Sequence, residues 1–273
     1  MTLFLVATPI GNLQDISQRA LSVLEQADLI LCEDTRVSLK LLHRFQLQKP
    51  LQPFHKFNEH EQLEPVLSRL RNGEKIALIS DAGTPGLCDP GQNLVRQARL
   101  EGLEVTPIPG ACSVICALIA SGLPTHPFSF NGFIEKHKKT RQQQLSKALD
   151  QTSTQIFFES PERILSTVEE LSNLEPTRHI ALTKEISKIY ETFFLGTAEQ
   201  ALIWLRQAST KGEWIVLIEG KLPEESKAPL EGTLAAALEH TQHLMAKGLS
   251  KSDAVTAISE LFNIKAQELY KLL

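Results

Sequence analysis

Between Leu3 and Pro109 the chain repeats one pattern, a short apolar run followed by a helix-length amphipathic stretch and then another apolar run. The runs fall at 3–8, 29–33, 76–81 and 105–109. The stretches lie near 16–26, 36–45, 60–71, 91–101 and 112–121. Strands covered on both faces read as continuous apolar runs, and parallel neighbours must be joined by a crossover about as long as a helix. The pattern therefore admits few folds, and the expected one is an open α/β domain with a parallel sheet and helices on its faces.

The rhythm breaks at Gly122-Leu123-Pro124-Thr125-His126-Pro127, where two prolines and a glycine mark a hinge. Strand candidates resume at 128–133, 154–159, 179–184, 190–195 and 214–219. The aromatic alternation in Tyr190-Glu191-Thr192-Phe193-Phe194 calls for at least one antiparallel pairing. After Gly220, a charged, proline-containing stretch from Lys221 to Pro229 reads as a linker, and the rest reads as helix. Ser250-Lys251-Ser252-Asp253 has the form of a helix start, and Asn263-Ile264 interrupts before a last short helix. The 273 residues thus divide into an α/β domain over 1–123, a second α/β domain over 124–222 and a helical appendage over 229–273.

Composition narrows the chemistry. The formal net charge of -4, from 28 Lys and Arg against 32 Asp and Glu, gives no global pull toward nucleic acid or an anionic membrane, so a polyanionic partner has to be met by a local patch. Cys32, Cys88, Cys112 and Cys116 are irregularly spaced in apolar or turn contexts, the usage of reduced thiols in a cytoplasmic protein rather than of a disulfide framework or a metal site. The N-terminal run Leu3-Phe4-Leu5-Val6 lacks a basic start and a cleavage site and reads as a first strand. No stretch approaches the length of a membrane span.

In an open parallel sheet, ligands bind beyond the carboxyl ends of the strands. Three of the four ends carry turn chemistry: Thr8-Pro9-Ile10-Gly11-Asn12, Asp81-Ala82-Gly83-Thr84-Pro85-Gly86 and Pro109-Gly110-Ala111-Cys112-Ser113. Glycine permits close backbone approach and positive φ, and proline fixes the turn, so three such loops on one rim point to a ligand cleft rather than to punctuation alone. Neither Gly-x-Gly-x-x-Gly after the first strand nor Gly-x-x-x-x-Gly-Lys-Ser/Thr occurs, which disfavours a dinucleotide or a P-loop nucleotide.

Four motifs in order make the ligand more specific: Val6-Ala7-Thr8-Pro9-Ile10-Gly11-Asn12-Leu13, Glu33-Asp34-Thr35-Arg36, Ser80-Asp81-Ala82-Gly83-Thr84-Pro85 with Asp89-Pro90-Gly91, and Phe158-Glu159-Ser160 with Arg163. Together they resemble the tetrapyrrole methylase superfamily, and within it the branch that methylates the ribose 2′-hydroxyl of a cytidine in small-subunit (16S) ribosomal RNA. The resemblance runs from about residue 3 to 220. It implies two α/β domains with S-adenosylmethionine in the cleft between them, and a homodimer. Carried onto this chain, it places the cofactor against Pro9, Ile10, Asp81, Gly83, Thr84, Cys112, Ser113, Phe158 and Leu182, the last two with their neighbours Glu159 and Thr183.

Methyl transfer to a ribose hydroxyl needs the nucleophile aligned with the methyl group and a proton acceptor within reach. Glu33 and Asp34, at a strand end, are the first candidates. Adjacent strand residues point to opposite faces, so only one of the two is expected to reach the substrate, and the competing reading makes the carboxylate a helix cap paired with Arg36. Lys184 and Glu185, at a strand end of the second domain, are alternative catalytic groups. Arg36 is suited to a bidentate grip on phosphate. In Glu135-Lys136-His137-Lys138-Lys139-Thr140-Arg141, the strongest basic cluster, Lys136, Lys138, Lys139 and Arg141 are candidates for the RNA backbone. The stretch His55-Lys56-Phe57-Asn58-Glu59-His60 also resembles one in that branch of the superfamily, which implies contact with a flipped-out nucleotide; His55, Phe57 and Asn58 could supply stacking and edge hydrogen bonds, with core packing the favoured place for Phe57. From Leu230 onward acidic residues slightly outnumber lysines, so charge gives the appendage no RNA-binding role. The expected acceptor is ribosomal RNA, free or in the assembled small subunit. The same fold could instead serve a tetrapyrrole or other small molecule, or a catalytically idle RNA-binding module.

Overall fold

The computed structural model describes residues 2–221, 234–246, 250–262 and 265–273. One compact unit extends to Gly220, and a second begins at Lys221.

The first sheet comprises β1 (Thr2–Val6), β2 (Leu29–Cys32), β3 (Leu51–Pro53), β4 (Lys75–Leu78) and β5 (Glu104–Ile108), all parallel, in the order β3-β2-β4-β1-β5. Its helices are α1 (Gln18–Gln26), α2 (Thr35–Arg44), α3 (Glu59–Arg71), α4 (Gln92–Leu100) and α5 (Ser113–Ala120). Caps explain where two of them start: the Ser17 hydroxyl accepts from the Ala20 N–H at α1, and the Asp34 carboxylate accepts from the Arg36 N–H at α2. Leu3, Leu31, Ile76 and Leu78 bury one face of the sheet, and Val6, Ile30, Ala77 and Ile79 bury the other. This two-sided burial is what the continuous apolar runs encode. β3 escaped the pattern because three half-polar residues ending in proline carry no periodic signal.

The second sheet comprises β6 (Phe128–Phe133), β7 (Thr154–Glu159), β8 (His179–Lys184), β9 (Thr192–Thr197) and β10 (Trp214–Ile218), in the order β6-β7-β10-β8-β9. Only β6 and β7 run parallel; β8 and β9 form the antiparallel pair that the aromatic alternation anticipates. α6 (Lys138–Leu149), α7 (Ile164–Leu174) and α8 (Ala198–Gln207) cover one face around Phe157, Leu182, Trp214 and Val216. The opposite face, Ile156, Ala181, Ile215 and Leu217, packs on Val114, Ala117 and Leu118 of α5. The last helix of the first sheet is therefore the floor under the second, which joins both sheets in one unit.

In the second unit, α9 (Leu234–Ala246), α10 (Lys251–Phe262) and α11 (Ala266–Leu272) meet around Ala237, Val255, Ile258 and Leu269. The helix start at Ser250 is present: its hydroxyl donates to the Asp253 carboxylate at 2.6 Å and accepts from the Asp253 N–H. The linker residues after Lys221 and the Asn263-Ile264 break lie outside the described residues. Among those described, no helix is long and apolar enough to cross a membrane.

Candidate functional site

The carboxyl ends of the first sheet converge through their backbones. Thr8 and Gly83 exchange two hydrogen bonds (2.8 and 3.1 Å), which ties the loop after β1 to the loop after β4. The Thr84 hydroxyl donates to the Ala111 carbonyl at 3.1 Å, which ties the β4 loop to the loop after β5. Gly83 holds φ +83°, and a Cβ there would stand 3.1 Å from Ile10 Cγ2. Gly110 passes so close to Ala7 that a Cβ would lie 2.9 Å from the alanine methyl. The glycines are there because the loops interlock without room for side chains.

Above this rim lies a cavity of about 320 Å³, within the range of small-molecule sites. Ile10, Glu33, Asp81, Ala82, Asp89 and Ser113 line it from the first sheet and its loops, and Phe133, Phe158, Glu159, Ile186, Glu213, Trp214 and Ile215 from the second. One wall is thus backbone turns and carboxylates, the other aromatic and aliphatic side chains with Glu159 and Glu213 among them. Glu159 is fully buried and held by Arg163 (2.6 Å), the Ser160 N–H and the Thr167 hydroxyl. Glu213 pairs with Lys188 at 3.1 Å. Asp89, absent from the candidates read off the sequence, is pushed up to about 6, first by burial and then by the negative charges of Glu33 and Asp81, against a lowering hydrogen bond from Ser80.

The predicted cofactor residues distribute unevenly. Ile10, Asp81, Ser113 and Phe158 line the cavity. Gly83 and Thr84 act through the backbone lock, and Cys112 is the N-cap residue of α5. Pro9 lines a neighbouring cavity of about 240 Å³ with Leu13, Val37 and Lys40. Leu182 is a correction: it is fully buried in the core beneath α6–α8. Strand alternation turns its neighbour Thr183 to the face shared with Ile215 and Phe158, with which it is in register. Thr183 is 1% exposed, and its hydroxyl has no hydrogen-bond partner among the described residues. Like Leu182, Thr183 is absent from the lining of the cavity.

A second cavity of about 450 Å³ adjoins the first and shares Glu33 and Asp81 with it. The rest of its lining is Asp34, Thr35, Arg36, Pro53, His55, Lys56 and Phe57. Strand alternation does not separate Glu33 from Asp34. β2 ends at Cys32, so alternation stops before Glu33, and both residues line this cavity. Asp34 accepts a bidentate grip from Arg36 (3.0 and 2.6 Å), and these hydrogen bonds hold its carboxyl at about 2. Arg36 thus spends on Asp34 the fork expected for phosphate.

Asn58 is also occupied: its carbonyl accepts from the His55 N–H at 2.7 Å and its amide donates to the Pro53 carbonyl at 3.0 Å, so it shapes the loop. Phe57, expected in the core, is 82% exposed. His55 keeps a buried ring Nδ1 with no partner among the described residues.

Lys184 and Glu185 are absent from the lining of both cavities. The Lys184 ammonium donates to the Ser209 carbonyl and lies 5.5 Å from the Trp214 ring centre. Glu185 pairs with Lys188 and accepts from the Glu213 N–H. In the basic run, Lys136, Lys138 and Lys139 are exposed, but Arg141 is a further correction. It is 8% exposed and bound through two hydrogen bonds to Glu170 of α7, because its place one turn into α6 faces the neighbouring helix. Among the described residues no group of three or more His, Cys, Asp or Glu is placed to hold a metal ion.

Comparison with known proteins agrees with this architecture. Residues 2–202 match the family of Tetrapyrrole (Corrin/Porphyrin) Methylases. A protein of Haemophilus influenzae named ribosomal RNA small subunit methyltransferase I is 42% identical over 272 residues, covering 98% of this chain and 95% of its own length. Its namesakes in Synechocystis and Halalkalibacterium halodurans are 41% and 38% identical, each over 99% of this chain and 96% and 94% of their own lengths. Among solved structures, a diphthine synthase aligns with TM-score 0.60 at 15% identity, over 82% of this chain and 92% of its own. Uroporphyrin-III-C-methyltransferase from Thermus thermophilus aligns with 0.54 at 21%, over 79% and 93%. At such identities these two share the fold alone.

Proposed function

The chain belongs to the tetrapyrrole methylase family, and from that premise we propose that it is an S-adenosylmethionine-dependent methyltransferase acting on the ribose 2′-hydroxyl of a cytidine in small-subunit ribosomal RNA. The observation that carries this reading is the shared wall: a donor-sized cavity opens beside a second one across Glu33 and Asp81.

The groups present fit the donor. Its flat and apolar parts suit Phe133, Phe158 and Ile215, its polar atoms suit Ser113, and its positive sulfonium suits a wall with Glu33, Asp81 and Asp89. When bound, it supplies an activated methyl group. The protein's work is to hold the hydroxyl in line, exclude water and take a proton. Glu33 is the assigned proton acceptor, because it lines both cavities, whereas both carboxylate oxygens of Asp34 are engaged by Arg36. A carboxylate-lined acceptor cavity also accepts from an exocyclic amine, which favours cytosine over a base edge without one.

Two surfaces complete the reading. Lys136, Lys138 and Lys139 stand at the N-terminal end of α6, where the helix dipole disfavours cations, and directly follow Phe133 of the cavity wall. Lysines kept at that position suit a polyanion passing the cleft. Ile115 and Ile119 of α5 and Phe193 and Leu195 of the edge strand β9 are exposed apolar residues, and Leu195 pairs with Ala181 on the sheet face that α5 covers, which supports a homodimer. A purely monomeric sedimentation profile that Leu195→Asp leaves unchanged would remove the homodimer.

The function is tested with methyl-labelled S-adenosylmethionine offered with assembled small subunits, protein-free ribosomal RNA or a porphyrinogen. Label is expected in ribose of the RNA, and charge reversal of the three lysines is expected to weaken RNA binding and flatten its salt dependence. Label in the macrocycle, or none in RNA, overturns the assignment.

A further inference from the structure

The segment Pro53–Asn58 is built as a rigid pedestal. Asn58 clamps it at two backbone points, and Phe54 is fully buried beneath it. The His55 N–H and carbonyl are both used, the carbonyl by the Asn58 and Glu59 N–H groups. On top stands Phe57, the ring more than four-fifths exposed, with the Lys56 ammonium 4.9 Å from its centre and the His55 ring edge-on at 6.1 Å.

Single exposed apolar side chains are ordinary on protein surfaces. Phe57 differs in its place, because it lines the cavity that shares Glu33 and Asp81 with the donor cleft. It differs also in its company, because the buried, unpartnered His55 Nδ1 lies on the same segment and Lys56 brings a cation to the same rim. A flat, exposed, pre-positioned ring with a cation beside it matches a nucleotide, whose base stacks and whose phosphate carries the charge.

Resting on the methyltransferase reading above, we infer that Phe57 is the stacking platform that captures the acceptor nucleotide, base on ring, so that the enzyme takes only a nucleotide free of base pairing. Phe57 is then a positioning residue. The base it holds fixes where the attached ribose stands relative to Glu33, and a paired base is excluded because both its faces are already stacked in the duplex.

Steady-state methylation of unmethylated small subunits tests this, with donor binding followed separately by calorimetry. Phe57→Ala and Phe57→Leu are expected to raise KM for the subunit about tenfold, with kcat within about twofold, and Phe57→Trp and Phe57→Tyr to restore it. Donor affinity should stay unchanged in all four, since the side chain lies in solvent. Annealing a complementary oligonucleotide over the acceptor nucleotide should abolish methylation. If Leu serves as well as Trp, or if no variant moves KM, the stacking role is overturned while the methyltransferase stands. A wild-type protein that methylates no small-subunit RNA overturns both.

Discussion

The two adjoining cavities are built by opposite means. The cleft proposed for the donor stands on backbone: the loops after β1, β4 and β5 lock to one another through Thr8, Gly83, Thr84 and Ala111, and Gly83 and Gly110 sit where a Cβ is crowded. The cavity proposed for the acceptor stands on side chains, chiefly the paired Asp34 and Arg36, and Lys56 and Phe57 on the segment that Asn58 braces. A backbone site tolerates many side chains but no change of path. A side-chain site keeps its frame under substitution and loses one contact at a time. The same kind of replacement should therefore be far more costly in the first cavity than in the second.

The largest effect is expected at Gly83. Valine there meets a φ of +83° that β-branched residues avoid, and its Cβ would crowd Ile10. The rim must shift, and a misplacement of about 1 Å can cost on the order of 100-fold. Gly83→Val should lose at least that much donor affinity by calorimetry while keeping its helical circular dichroism. Near-normal donor affinity would mean that the cleft does not rest on its backbone lock.

Next in size is Glu33, at the wall between the two cavities. Glu33→Gln should cut kcat by about 100-fold, the scale of a lost general base, with donor affinity little changed. Lys184→Ala should stay within about twofold, because that ammonium serves the Ser209 carbonyl. Reversed outcomes would move proton transfer to the second sheet.

The contrast also explains what could be read from the sequence. The runs at 29–33 and 76–81 and the glycines of the three loops were legible because burial on two faces and positive φ each restrict residue type directly. Leu182 against Thr183 was not, because a one-residue choice of face depends on which side of the sheet the cleft lies. Asn58 and Arg141 looked like free ligands for RNA, yet each is satisfied by a partner that folding supplies, the Pro53–His55 backbone and Glu170, whereas the pairing of Arg36 with the capping Asp34 was one of the two readings that the sequence offered. Phe57 erred the other way, since hydrophobicity alone assigns a phenylalanine to the core. Asp89 was visible in a motif but not as a site residue, because its character comes from burial and from Glu33 and Asp81, distant in sequence and close in space.

Asp89 gives the smallest effect, and one with a defined sign. Its carboxyl is raised from 3.8 to about 6 in the folded protein, so folding favours its protonated form. Its contribution to stability is fully present below about pH 3.8 and is lost as pH rises through about 6, leaving a charged group at neutral pH that the cleft holds at a cost. Asp89→Asn should therefore raise the melting temperature at pH 7.5, and this gain over wild type should shrink as pH falls from 6 to 4. The same charge faces the region assigned to the cationic donor, so the variant should also bind S-adenosylmethionine several-fold more weakly at pH 7.5, and wild-type affinity should decline toward the variant's below pH 6. S-adenosylhomocysteine, which lacks the sulfonium charge, should bind both proteins alike. A variant with neither greater stability nor weaker donor binding at pH 7.5 would place Asp89 outside the donor cleft's electrostatics and leave the backbone lock as its only support.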